Sequence, residues 1–304
     1  MIKRLQARIL AHNFVVRLIA FSKRLVLPGF RGMPLFDVAS FFIKGLQQSS
    51  LTTRASALSY NFFLALFPFV IFLFTLIPYI PIDNFQNELM EMIKQLMPKN
   101  AYEAIEATLE DIVKNQHSGL LSIGFVSAMY FSSNGFMALI NAFNSSYHTK
   151  ESRSALKKRL TSLLLVIISI VLLTLAITLI IGSEVVLSKI INKDSWEFML
   201  LHIGRWLISL GLVICMISFN YLFGPSHRTG WQFFSPGSVV ASVLIIALSL
   251  GFAYYINNFG NYNKLYGSIG TLMVIMVWLY LNSLVLLIGF ELNASIFSAK
   301  SNKK

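Results

Sequence analysis

Six stretches of the chain contain no Asp, Glu, Lys or Arg: Ala55–Ile82, Asn115–Thr149, Leu160–Ser183, Trp206–His227, Thr229–Asn263 and Leu265–Phe290. The shortest holds 22 residues, and roughly 20 apolar residues cross a hydrocarbon core of about 30 Å. Backbone inside lipid must satisfy its own hydrogen bonds, so each run predicts a helix. None alternates apolar and polar residues as a barrel strand does. The pattern predicts an all-α integral membrane protein with six spans, at about 56–79, 118–147, 160–182, 206–223, 237–257 and 268–290. They form a single membrane domain over residues 35–298.

The segments around the spans differ from them in kind. Residues 1–34 predict a basic amphipathic segment, with Ile9, Leu10, Phe14, Leu18 and Phe21 on one face of a helix that Pro28, Gly29, Gly32 and Pro34 end. Residues 35–48 carry Asp37 and Lys44 and are too short to span, so they predict an interfacial helix followed by a turn at Ser49–Thr53. Residues 82–117 hold seven acids and three lysines. Two helical repeats there, Phe85/Leu89/Met92/Leu96 and Tyr102/Ile105/Leu109/Ile112, predict an external amphipathic hairpin. It reads either as a solvated cover on the bundle or as a lid over a cavity. Glu184–Arg205 is expected to be an outer loop, with Trp196 and Trp206 as interface anchors.

Composition agrees with this reading. Charged residues make up 12% of the chain and hydrophobic ones 56%, with mean hydropathy +0.67, against about 25% charged in soluble domains. The net charge of +12 follows topology rather than a nucleic-acid surface. With Met1 inside, the inner segments hold eighteen Lys/Arg and three acids, and the outer ones seven and ten. That is the positive-inside bias. It places both termini, including the tail 299–304, on the cytoplasmic side of the membrane. Membrane lipids are the expected partners and nucleic acid is not; the sequence does not indicate an oligomeric state. Cys215 is the single cysteine and lies in an apolar run, away from thiolate chemistry. The five histidines are scattered, and no H-E-x-x-H or P-loop occurs. No catalytic residue, metal site or cofactor is expected.

Three constellations stand out. Arg54 opens the first span, followed by Ser56, Ser59, Tyr60 and Asn61, with Pro68 at its middle as an expected kink. Small polar groups in lipid should turn to the protein interior or a wet cavity. The second span carries Ser133, Asn134, Asn141 and Asn144. Its Ser132–Gly135 cluster reads either as a break, as in discontinuous transporter helices, or as close packing through small residues. The third constellation is Tyr266-Gly267-Ser268-Ile269-Gly270, then Trp278 and Tyr280, then Glu291 and Asn293. Arg54 and Glu291 both fall at the inner ends of their spans. Pairing would offset the cost of stranding either charge; the alternative is that each snorkels to the headgroups.

These residues resemble the YihY/BrkB family of inner-membrane proteins. Its R-A-x-A-L-x-Y…F-P pattern is met at Arg54–Pro68, and its Y-G-S-x-G…W-x-Y…G-x-E-x-N ending at Tyr266–Asn293. The match covers about residues 35–297, with Asn61, Thr271 and Phe290 departing from the usual residues. The resemblance implies a six-helix membrane protein, and a transporter or flippase for lipids or other amphiphilic envelope molecules. It makes Ser56, Ser59, Tyr60, Asn61, Pro68, Ser133, Asn134, Asn141, Tyr266, Gly267, Ser268, Gly270, Trp278 and Tyr280 candidates for a substrate path. A non-transporting scaffold for envelope assembly is the second reading. A membrane-bound ribonuclease, after an old label of the family, is the third.

Overall fold

A computed structural model of the chain describes residues 17, 20–48, 50–79, 85–96, 99–146, 151–190, 196–226, 233–259 and 268–301. Among them there is no strand. The helices are α1 (Leu35–Gln48), α2 (Leu51–Leu76, with a 3₁₀ turn at Ile77–Tyr79), α3 (Phe85–Leu96), α4 (Lys99–Lys114), α5 (Ser118–Ser146), α6 (Ala155–Ile190), α7 (Trp196–Phe223), α8 (Pro236–Phe259) and α9 (Ser268–Ser301). Six of these are long and apolar enough to cross a membrane: α2, α5, α6, α7, α8 and α9. Most of the predicted N-terminal amphipathic segment, residues 1–16 and 18–19, lies outside the described residues.

The described residues fall into two compact units, residues 1–58 with 136–304, and residues 59–135. In the first, α6 packs on α7, α7 on α8, α8 on α9, and α9 on α1. The approach to α1 is a tight turn in which Gly29 and Gly32 adopt φ of +85° and +81°. A Cβ on Gly29 would meet the Pro236 ring at 2.6 Å, so only glycine fits there. Asp37 in the first turn of α1 complements the helix dipole. Phe30, Met33 and Val38 bury against Ile296 and Ala299 of α9.

That packing explains one difference from expectation. The sixth span was predicted to end at residue 290, yet α9 runs on to Ser301. Its last turns have a protein surface to cover, so the charge at Glu291 ends the apolar window without ending the helix. Charge at Glu184 likewise ends an apolar window without ending a helix, which corrects the predicted outer loop at 184–205. Helix α6 continues to Ile190 and α7 begins at Trp196, which makes Arg205 a helical and buried residue.

In the second unit α2 runs unbroken through Pro68. The helical pair α3 and α4 packs on the end of α2, with Met90 and Val113 buried against Ile77. Helix α5 is continuous through Ser132–Gly135, so the broken-helix reading is corrected. The cluster serves packing. The Ser133 hydroxyl donates to the Tyr130 carbonyl at 2.8 Å, and added Cβ atoms would meet Phe62 at 2.8 Å from Gly135 and the Phe72 backbone at 3.2 Å from Gly124. Eleven residues are three turns, so both glycines face α2.

Candidate functional site

At one end of the first unit the helix ends are drawn together by polar side chains. Arg54, in the first turn of α2, donates from Nη1 to the Ala142 carbonyl at 2.6 Å and to Ser146 Oγ at 2.9 Å. Both acceptors lie in the last turns of α5, where a cation also complements the helix dipole. Arg54 Nη2 stands 3.9 Å from Glu291 Oε2, with the two side chains 12% and 5% exposed. The residues singled out as a possible pair are thus neighbours, although Glu291 lies well inside α9 rather than at its end. On the other side α1 closes over the carboxylate. A Cβ on Gly45 would collide with Glu291 Oε1, so glycine there lets helix backbone lie directly on the acid.

Three further joints occupy the same end. Ser235 caps α8, with its Oγ accepting from the Ser238 N–H at 3.2 Å, and Pro236 sits at the first helical position, as helix starts prefer. Asn293 of α9 extends that cap: its Oδ1 accepts from the Gly237 N–H at 2.8 Å and its Nδ2 donates to Ser235 Oγ at 2.7 Å. One turn back, Gly289 touches α8 so closely that a Cβ would lie 2.6 Å from Ala241, the Gly237 carbonyl and the Tyr221 hydroxyl. Tyr221 of α7 donates to the Leu286 carbonyl at 2.6 Å, and its ring meets Phe290, which stacks on Phe143 at 4.0 Å between centroids.

The third joint is a loop lock. Asn144 Oδ1 accepts from the Ser226 N–H at 2.9 Å, and its Nδ2 donates to Glu151 at 2.8 Å. Arg153 chelates Glu151 through Nε and Nη2 and also donates to the Phe223 and Gly224 carbonyls at the end of α7. Burial pushes the Glu151 carboxyl up. The hydrogen bonds and charge of Arg153, with the Asn144 amide, outweigh burial and hold it below its ordinary value. Sequence reasoning missed Glu151 and Arg153, because a loop acid two residues from an arginine carries no signal until the fold brings Asn144 and Phe223 to it.

The other candidates are dispersed. Ser56 is exposed and donates to Thr52 of its own helix at 2.9 Å, which corrects its expected inward turn. Asn141 is exposed and takes a hydrogen bond from Lys158 at 2.6 Å. In the second unit Ser59 and Ser133 are buried, Asn61, Pro68 and Asn134 half-buried, and Tyr60 exposed. In α9 Gly270 is buried, Tyr280 half-buried and Trp278 exposed, and Ser268 is the first residue of the helix. Tyr266 and Gly267 lie outside the described residues. Among the described residues no group of three His, Cys, Asp or Glu side chains is placed to share a metal.

Away from the polar end, α6, α7 and α8 leave a cleft of about 460 Å³. Its walls are almost wholly apolar: Leu173, Ala176 and Ile177 of α6, Trp206, Leu207, Leu210 and Val213 of α7, and Val243, Ile246, Ala247 and Leu250 of α8. Ser209 is the polar exception and is buried, with its hydroxyl 3.5 Å from the Ala176 carbonyl. No motif marks such a cleft in sequence, since its walls read like any other apolar span.

Comparison with known proteins agrees with this architecture. A family profile described as Virulence factor BrkB matches residues 42–304. The chain is 32% identical over 251 residues to the "Putative ribonuclease-like protein YfkH" of Bacillus subtilis (strain 168), covering 82% of this chain and 90% of that one. It is 25% identical over 283 residues to a UPF0761 membrane protein of Alteromonas mediterranea, covering 89% and 91%. A UPF0761 membrane protein of Haemophilus influenzae (strain 86-028NP) is 26% identical over 263 residues, covering 84% and 93%. No solved structure matches the chain significantly.

Proposed function

Proceeding from the virulence factor BrkB family, to which this chain belongs, we propose that it transports lipids or other amphiphilic envelope molecules across the bacterial inner membrane, with both termini in the cytoplasm. The observation that carries this reading is the buried Arg54–Glu291 pair inside membrane-spanning helices. Intramembrane charge is costly and marks translocation machinery more often than plain scaffolding. The apolar cleft of α6–α8 supports an amphiphilic cargo over an ion or sugar. The distribution of Lys and Arg supports the orientation.

The test is reconstitution in liposomes containing a fluorescent phospholipid that an external reductant bleaches. A transporter exposes the inner-leaflet pool, so bleaching passes the half-way level reached in protein-free vesicles. Glu291→Gln slows that passage. Bleaching that stops at one half in every preparation overturns the reading.

The scaffold reading has its own support in the unbroken α5, where small and polar residues act as packing groups. A half-bleached plateau together with an intact, monodisperse protein favours it. The wording of the Bacillus relative's name makes RNA cleavage the remaining alternative. Metal-dependent cleavage by the purified chain, lost on substituting Glu291 or His227, would establish it.

A further inference from the structure

We propose that α1 and the segment leading into it form a docking surface for anionic phospholipid headgroups of the leaflet next to them. The inference needs the membrane setting but not the transport reading, because a headgroup can be held there whether or not any lipid is moved.

Backbone and core contacts fix this surface. The Leu35 N–H donates to the Leu25 carbonyl at 2.8 Å, which fastens the approach segment beside the start of α1. Phe30, Met33 and Val38 are buried against α9, and Gly45 lets α1 lie on Glu291. Val38 and Gly45 are two helical turns apart and mark the inward face of α1. Phe36, Ile43 and Gln47 fall on the opposite face, with Lys44 at its edge. Of these, Ile43 is 54% exposed, and Gln47 and Lys44 are exposed. The approach segment adds exposed Phe21, Val26 and Leu27, together with the exposed cations Lys23 and Arg24. Lys23 Nζ stands 5.0 Å from the centre of the Phe36 ring, so the approach segment and the outward face of α1 meet.

Charge names the occupant. Residues 17–48 hold five Lys/Arg and one acid, Asp37. Among the described residues Lys23, Arg24 and Lys44 form no ion pair. The surface is therefore complementary to anions. A polynucleotide or an acidic protein would meet the cations but leave Phe21, Val26, Leu27 and Ile43 against water. A bilayer interface takes both kinds of group. Apolar side chains enter the acyl boundary to a depth of ~5–10 Å, while Lys and Arg stems reach back to the phosphates. Anionic headgroups are favoured over zwitterionic ones by about fivefold for each Lys or Arg near the surface.

The experiment uses the full chain with Cys215→Ser and Ile43→Cys, the new thiol carrying the polarity-sensitive fluorophore NBD. It is placed in nanodiscs of phosphatidylcholine with increasing phosphatidylglycerol. As phosphatidylglycerol rises, the emission should move to the blue and acrylamide quenching should fall, because the label is drawn into the acyl boundary. A label at Phe21→Cys, also an exposed position, should respond in the same way. Lys44→Gln should need about fivefold more phosphatidylglycerol for the same shift. The triple variant Lys23→Gln/Arg24→Gln/Lys44→Gln, changed only at exposed positions, should show no shift. Equal signals in phosphatidylcholine and phosphatidylglycerol discs overturn the proposal, as does a triple variant that responds like its parent. So does a blue shift produced by polyuridylate in phosphatidylcholine discs and not by phosphatidylglycerol, since the surface would then seat a nucleic acid. The label is read with no lipid transfer, so this result and that of the bleaching assay are separate.

Discussion

The two ends of the first unit hold their helices together by different chemistry. At one end, side chains of α2, α7, α9 and the loop before α6 join helices through named bonds: Arg54 to α5, Tyr221 to α9, Asn293 to α8, and Arg153 to the end of α7. Along the cleft, α6, α7 and α8 meet through aliphatic contact and leave space unfilled. In lipid, aliphatic contact between helices gains little over contact with acyl chains, whereas polar and close backbone contacts are specific. The polar end should therefore carry most of the stability, and the cleft most of the freedom to adapt.

Substitutions that break or sharpen this contrast can be ranked. Glu291→Ala leaves the Arg54 guanidinium buried beside no carboxylate and should cost about 3–5 kcal/mol, read as unfolding in graded denaturing detergent. Arg54→Ala should cost a similar amount, and the double variant less than the sum. A loss below about 1 kcal/mol, the scale of a surface pair, would show that the pair is not a lock. Next comes Gly289→Val. It drives a branched side chain into Ala241, the Gly237 carbonyl and Tyr221, and belongs at the upper end of the ~1–3 kcal/mol range for overpacking.

Asn293→Ala removes the bonds to Gly237 and Ser235 and should cost about 1–2 kcal/mol, as for a lost cap. Asn293→Asp, which keeps the acceptor for the Gly237 N–H, should recover part of it. The smallest effect is expected at Glu151 and shows as pH dependence. Its folded pKa is depressed, so the unfolded chain takes up the proton first as pH falls. The stabilisation is full above the unfolded glutamate value of about 4.3 and is lost as pH drops through the lower folded value. Glu151→Gln should lower the melting temperature at neutral pH and converge on the parent protein in acid. Parallel curves would remove the Arg153–Glu151 lock from this account.

Much of the architecture was legible because lipid imposes a simple rule on charge. Windows free of Asp, Glu, Lys and Arg located six helices, and helical spacing located α3 and α4. Helix ends were harder to read. Charge at Glu184 and Glu291 closes an apolar window, but α6 and α9 continue because helical hydrogen bonding does not depend on apolarity. Proximity was legible only where a cost forced it. Arg54 and Glu291 were singled out because a stranded charge is expensive. Glu151 with Arg153 gave no such sign, since both sat in a segment read as loop. Small residues misled in one respect: Ser132–Gly135 suggested a break, whereas Gly135 and Gly124 are points of close approach.

The contact between Gly237 and Gly289 also limits how the first unit can change shape. With backbone against backbone and Asn293 clasped to the start of α8, the last two helices form one rigid jaw. Tyr221 pins α7 to that jaw near its C-terminal end. The stretch of α7 towards Trp196, together with α6, meets that jaw only through the looser aliphatic packing around the cleft. Widening the space around Trp206 therefore calls for a pivot at Tyr221, with a few degrees of rotation magnified along some 25 residues of helix.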